Sequence, residues 1–239
     1  MGGLLQTAAG AVDANLLINS DLDFKRTYSG GVKSENLNLG KLLGDSKFGH
    51  VQFNVDLEGF NYNDKYPESY IKGLVSSFDY SGYRYENISS DGIYKDGGFN
   101  GHLALDDENG KVRIDGSFNI AEKISDFNLY ATIQNLRSDK LNLSDKYKDS
   151  DISFNLNADF TGSSIDDVNG RILLDSLVLN APQDKGYSLD NLTITAGKVG
   201  GEKEIQILSP FITAVVRGDY SYQTIPASVL QTMQRYIPS

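Results

Sequence analysis

The chain has 239 residues, a formal net charge of −10, 39% hydrophobic and 23% charged residues, and neither Cys nor Trp. That balance is globular rather than disordered, the negative charge disfavours nucleic acid and electrostatic docking on an anionic bilayer, and the lack of Cys excludes disulfides and thiolate chemistry. Abundant Gly (24), Tyr (14) and Phe (11) with only 5 Pro suit a protein of strands and turns.

All-β folds reach this length undivided, so one elongated β domain over 1–239 is expected. The opening MGGLLQTAAG has no basic n-region and is not read as a signal peptide. It reads as the start of a piece of a larger protein. No apolar run approaches the roughly 18 residues of a membrane helix.

Taken in order, residues 11–28 alternate weakly and supply the first strands. Ser34-Glu35-Asn36-Leu37-Asn38-Leu39 leads into a short connector over 40–46, and Phe53, Val55 and Leu57 make an alternating strand. Residues 61–70 are polar and turn-rich. Strands near 71–80 and 82–94 follow. The clearest unit is the hairpin 99–118. Phe99, Leu103 and Leu105 share one parity, and Val112, Ile114 and Phe118 share one parity after the turn. Side chains alternate faces along a strand, so this ribbon has one apolar and one polar side. Asn109-Gly110 is predicted to reverse the chain by its tolerance of positive φ. Phe127, Leu129, Ala131 and Ile133 give a further strand.

The pattern then starts again. Ser138-Asp139-Lys140-Leu141-Asn142-Leu143 repeats Ser34–Leu39 at an offset of 104, Val51–Val55 echoes in Ile152–Leu156, and Tyr85–Ile88 echoes in Leu189–Leu192. Matches that stay in order predict a tandem repeat of about 100 residues, approximately 34–120 and 138–221. After it, Pro226 in a first helical turn and Val229, Leu230, Met233, Tyr236 and Ile237 at helical spacing predict one short amphipathic helix over 226–236.

No constellation of catalytic residues emerges. His50 and His102 stand in separate strands without metal-ligand or triad spacing. Asp106-Asp107-Glu108 lacks the ligand spacing of a calcium loop and reads as a turn. Asn87, Asn142 and Asn191 sit in glycosylation-type tripeptides that a chain rich in Asn, Ser and Thr makes by accident. No phosphate-binding Gly loop is present. No enzyme activity, cofactor or metal is expected. What remains is the apolar face, which a long sheet buries as a sandwich, as a closed barrel, or as an open trough that holds something else.

The segments SENLNLGKLL, GLVSSFDYSGYRYENISSDGIYKDGGFNGHLALDDENGKVRIDGSFN and FNLYATIQNLRSDKLNLSDKYKDSDISFNLNADFTG resemble the TamB/AsmA-like family in its Bacteroidota form. The resemblance runs from about residue 30 onward, on compositional motifs such as Leu-Asn-Leu. It implies a mainly β fold, a long antiparallel sheet curled into a taco-like trough. It also implies a periplasmic protein anchored in the inner membrane and a TamA-like outer-membrane barrel as partner. The implied cargo is phospholipid, carried between the inner and outer membranes.

The residues assigned to the trough are Phe53, Val55, Leu57, Leu103, Leu105, Val112, Ile114, Phe127, Leu129, Ala131, Phe154, Leu156, Ile172, Leu174, Leu177 and Ile194. A closed core would use the same set. Open strand edges offer the competing role, a chaperone-like strand acceptor for the assembly of outer-membrane β-barrel proteins. A spacer filled by its own side chains is the third reading.

Overall fold

The computed structural model describes residues 2–20, 26–61, 68–120, 124–144, 148–164, 167–181, 186–219 and 221. Among them the chain is mainly β. It runs β1 (Gly2–Thr7), β2 (Gly10–Ser20), β3 (Arg26–Asn38), α1 (Leu39–Leu43), β4 (Phe48–Asn61), β5 (Glu68–Tyr80), β6 (Tyr83–Lys95) and β7 (Gly98–Asp107). It continues with β8 (Gly110–Asn119), β9 (Ser125–Leu136), β10 (Asp151–Gly162), β11 (Asn169–Asn180), β12 (Tyr187–Val199), β13 (Glu202–Leu208) and β14 (Thr213–Gly218). The predicted helix over 226–236 lies outside the described residues.

The 14 strands form one sheet whose spatial order is the sequence order, every neighbouring pair antiparallel. The sheet is not closed into a barrel: β1 and β14 are its two edges. Extensive contacts run between sequence-neighbouring strands and from α1 to β4. No second layer of described elements packs on either face.

The exposed area agrees with this. The chain exposes 15968 Å², whereas a compact monomer of its mass would expose about 10,600 Å². Among the described residues only a few apolar side chains, Leu37, Val51, Ala131, Ile133 and Leu141 among them, are buried.

The structure redraws several sequence-level boundaries. Residues 2–7 form a strand of their own, GGLLQT, which lacks the alternation that marks the others. The 40–46 connector opens with α1, a single turn capped by Asn38, whose side chain accepts from Lys41 N at 2.8 Å. Gly44 closes it in the left-handed conformation.

The 99–118 hairpin has the predicted register, Phe99 opposite Phe118, Leu103 opposite Ile114 and Leu105 opposite Val112. Its reversal differs from the expected Asn-Gly turn. The chain reverses at Glu108–Asn109, and neither residue takes a positive φ. The Asp107 carboxylate accepts from Asn109 N at 2.9 Å and so closes the turn from the side chain.

Candidate functional site: the apolar face of the sheet

Because cross-strand partners share a face, the registers let each row be followed across the sheet. One row reads Val55, Gly73, Ser90, Leu103, Ile114, Ala131, Leu156, Leu174 and Leu192. The row beside it reads Leu57, Ile71, Gly92, Gly101, Gly116, Leu129, Ala158, Ile172, Ile194, Ile207 and Ala214. A third reads Phe53, Val75, Ile88, Leu105, Val112, Ile133 and Phe154. A fourth reads Tyr94, Phe99, Phe118, Phe127, Phe160, Gly170, Ala196, Ile205 and Val216.

Fifteen of the sixteen residues assigned from sequence therefore lie on these rows of one face. The sixteenth, Leu177, pairs with Leu189 beyond Ser176, whose φ of 54° interrupts the alternation of β11. Ala131 alone of the sixteen is buried, and the others are half-buried. From Leu57 to Ala214 the row crosses ten inter-strand steps, roughly 50 Å at about 4.8 Å each.

The face is graded along the strand direction. Aliphatic side chains fill its middle. At one border Phe99 pairs with Phe118 (5.8 Å between ring centroids) and Phe127 stacks on Phe160 (4.8 Å). At the other, Phe48, Phe78, Tyr80, Tyr83 and Tyr85 form a cluster with centroid distances of 4.8–6.4 Å. Between that cluster and the aliphatic rows lies an apolar hollow of about 270 Å³, lined by Phe78, Tyr80, Tyr85, Ile88, Leu103, Leu105, Val112 and Ile114 among others. It is smaller than the roughly 300–1,000 Å³ of a small-molecule pocket, a dip in a continuous surface rather than an enclosed site.

Two tyrosines of β6 tie loops to the end of this face. Tyr83 donates to the buried Asp107 carboxylate at 2.5 Å and accepts from Asn109 Nδ2 at 3.0 Å. Burial, above all, pushes the Tyr83 hydroxyl up to about 12; the Asn109 bond opposes this and the Asp107 carboxylate adds to it. Tyr83 thus stays a donor across the working pH range. Tyr85 donates to Leu141 O at 2.8 Å, and Asn142 Nδ2 donates to Ser81 O at 3.2 Å. The β9–β10 connector is thereby folded back to the β5–β6 turn. Its Leu141 is 1% exposed, the most completely buried large side chain among the described residues.

The opposite face is mostly polar, though Leu74, Ile93 and Val215 are exposed on it. Asp56, Lys72, Asp91, His102, Asp115 and Tyr130 follow one another in register. Lys72 meets Asp91 at 3.0 Å and His102 Nδ1 meets Asp115 at 2.7 Å. The charges that sequence reading weighed for metals have other uses here. Asp106 pairs with Lys111 at 2.7 Å, and His50 sits 4.0 Å from Asp79.

The sixteen assigned residues leave out Val75, Ile88, Phe99, Phe118, Ile133, Phe160, Leu192 and Ile207, which share the face; of these, alternation had already marked Phe99, Phe118 and Ile133. Asn87, with φ of 54°, shifts the parity of β6, so that Tyr85 and Ile88 both line the hollow. An Asn at such a point is a usable signal, since Asn enters the left-handed region more readily than most residues. Its side chain donates to Asp106 O at 3.2 Å, a structural use of a residue noted only in a glycosylation-type tripeptide.

Fold and site together define a class: an open, single-layer antiparallel sheet with one apolar and one polar face. Comparison with protein-family models, with curated proteins and with solved structures finds no match for the chain.

Proposed function

We propose that this chain is a hydrophobic-groove module of a TamB-like protein, conducting phospholipids across the periplasm between inner and outer membranes. The observation that carries the reading is an apolar face, continuous in register from β4 to β14, on which no described element packs. An acyl chain laid on it removes apolar area from water on both partners, worth about 0.8 kcal/mol per buried CH₂. A large apolar face left open by its own chain is the mark of an interaction or ligand-binding surface.

In this reading the sheet curls into a taco-like trough with the aliphatic rows inside. Close approach within the rows favours curling. A Cβ on Gly101 would stand 2.4 Å from Asp91 O and 2.4 Å from Gly92 Cα, so side-chain bulk is absent where the strands crowd. The chain extends by repeating a unit, approximately 34–120 and then 138–221. The Leu-Asn-Leu segments near the start of each bury Leu37 and Leu141 respectively. The larger protein is anchored in the inner membrane and meets a TamA-like barrel in the outer one. The module works by binding rather than by chemistry.

A photo-crosslinking amino acid placed at Leu105 or Ile114 should capture phospholipid in cells, whereas at Arg113 or Asp115 on the other face it should not. Equal capture from both faces would remove the assignment. One observation favours a second reading, the strand acceptor. Neither β1 nor β14 has a strand on its outer side among the described residues, and an open edge accepts a client strand by main-chain hydrogen bonds.

A further inference from the structure

The polar face carries a hollow of its own. Over β10, β11 and β12 an open depression of about 610 Å³ is lined by Asn157, Asp159, Thr161, Asn169, Arg171 and Thr195 among others. In register, Asp159, Arg171 and Thr195 follow one another in one row, with Thr161 opposite Asn169 beside it. By alternation all six lie on the side away from the apolar rows. A second hollow of about 290 Å³ shares Thr161 and Asn169 with the first and carries the groove on to Gly197. Gly197 leaves room there, since a Cβ on it would stand 3.0 Å from Asn169 Oδ1. The larger hollow by itself falls within the roughly 300–1,000 Å³ of ligand sites.

These side chains differ from the rest of their face in lacking partners. Across β5–β8 the polar groups engage one another, Tyr70 and Lys72 with Asp91 and His102 with Asp115. Asn157, Asp159, Asn169, Arg171 and Thr195 are exposed, and among the described residues none of these side chains makes a hydrogen bond or ion pair. One carboxylate and one guanidinium balance in charge, which favours a neutral ligand over an ion. Asp159 only accepts, Arg171 only donates, and the carboxamides and the hydroxyl do both. A hydroxyl-rich ring matches that set, because each of its hydroxyls donates and accepts. The groove also has an apolar element. Leu173 and Tyr130 flank Asn157 in one row, and Tyr130 is 48% exposed. The C–H face of a sugar ring packs on such an aromatic body, which keeps its polar tip in water.

We infer that the β10–β12 groove of the polar face binds a neutral oligosaccharide, with Asp159 and Arg171 hydrogen-bonded to its hydroxyls and Tyr130 packed against the C–H face of a ring. The site is independent of the reading of the apolar face as a lipid surface, and both faces can be occupied at once.

The test is titration of the isotope-labelled chain with cellotetraose, maltotetraose and chitotetraose, each to about 10 mM, read by backbone amide chemical shifts. At least one should bind with a Kd on the order of 1 mM or tighter and shift the amides of 157–161, 169–173 and 193–197. D159A/R171A, with an otherwise unchanged spectrum, should weaken that binding by about tenfold or more, whereas R113Q elsewhere on the same face leaves it unchanged. Absence of shifts with all three sugars, shifts confined to the apolar face, or binding that survives in D159A/R171A overturns the site and leaves the lipid reading standing. Inorganic phosphate binding at the same amides as tightly as the sugar, and lost in D159A/R171A, assigns the groove to an anion and overturns the oligosaccharide.

Discussion

Leu141 and Leu105 are both leucines near the aromatic border, yet they differ in what surrounds them. Leu141 is 1% exposed and its backbone is held by Tyr85, so Leu141→Ala removes a packed side chain and should cost about 2–5 kcal/mol in a denaturant titration. Leu105 lies half-buried on the open face beside the apolar hollow, and Leu105→Ala should cost on the order of 1 kcal/mol or less. Equal large losses at both sites would mean that the face is a closed core. Glu204 offers a test by pH. It is buried at 5% exposure on β13. The Arg217 guanidinium of β14, and then the Gln206 amide, hold its carboxyl below the ordinary glutamate range. A carboxyl depressed in the folded state stabilises fully above its unfolded value, about 4.3, and the contribution fades as pH falls through the lower folded value. Corrected amide exchange of β13 and β14 should therefore stay flat from neutrality to about pH 4.5 and then rise. Glu204→Gln should flatten that rise while accelerating exchange at neutral pH.

Single elements show which signals the sequence carried and which it hid. Hairpin β7–β8 was legible because one face is apolar and the other solvated, which leaves a period of two; Phe99–Phe118 and Leu103–Ile114 follow directly from it. The turn was not, since Asp107 fixes the reversal through a side-chain bond where Asn-Gly suggested a backbone conformation. Strand β1 was hidden because GGLLQT has two adjacent leucines, Leu4 and Leu5, both strongly exposed. The β9–β10 connector was hidden for another reason. Its role depends on Tyr85, 56 residues away, which no local pattern reports. Removing that tie should show as a local effect. Tyr85→Phe keeps the ring in its cluster but loses one hydrogen bond, at about 1 kcal/mol, with faster amide exchange at Leu141–Leu143. The glycine row sets a stronger constraint. A Cβ on Gly101 meets the β6 backbone at Asp91 and Gly92, so Gly101→Val should break the β6–β7 pairing and lower the thermal midpoint by well over 5 °C.

At the scale of the whole molecule, the sequence announced strands, their faces and fifteen of the sixteen face residues, because each of these is a local property. Alternation by itself did not choose among sandwich, barrel and trough, and the trough was expected from the resemblance alone, because closure depends on whether distant elements meet. Among the described residues extensive strand–strand contact is confined to sequence neighbours, and the strands form one open layer. An open layer presents two distinct surfaces, the apolar face and the unpaired edges, and they can be tested separately. If the edges serve client strands, Val215→Pro on the outer strand β14 should abolish peptide binding while Leu105→Asp leaves it intact. If the face serves lipid, Leu105→Asp should abolish lipid binding while Val215→Pro leaves it intact. The most direct measurement is denaturing extraction of the purified chain with mass spectrometry of the extract, beside a Leu105→Asp/Leu129→Asp variant whose circular dichroism shows it folded. Phospholipid that accompanies the parent and is missing from the variant is the expected result. A parent that is folded, stable and free of lipid would contradict the account and return the apolar face to a purely structural role.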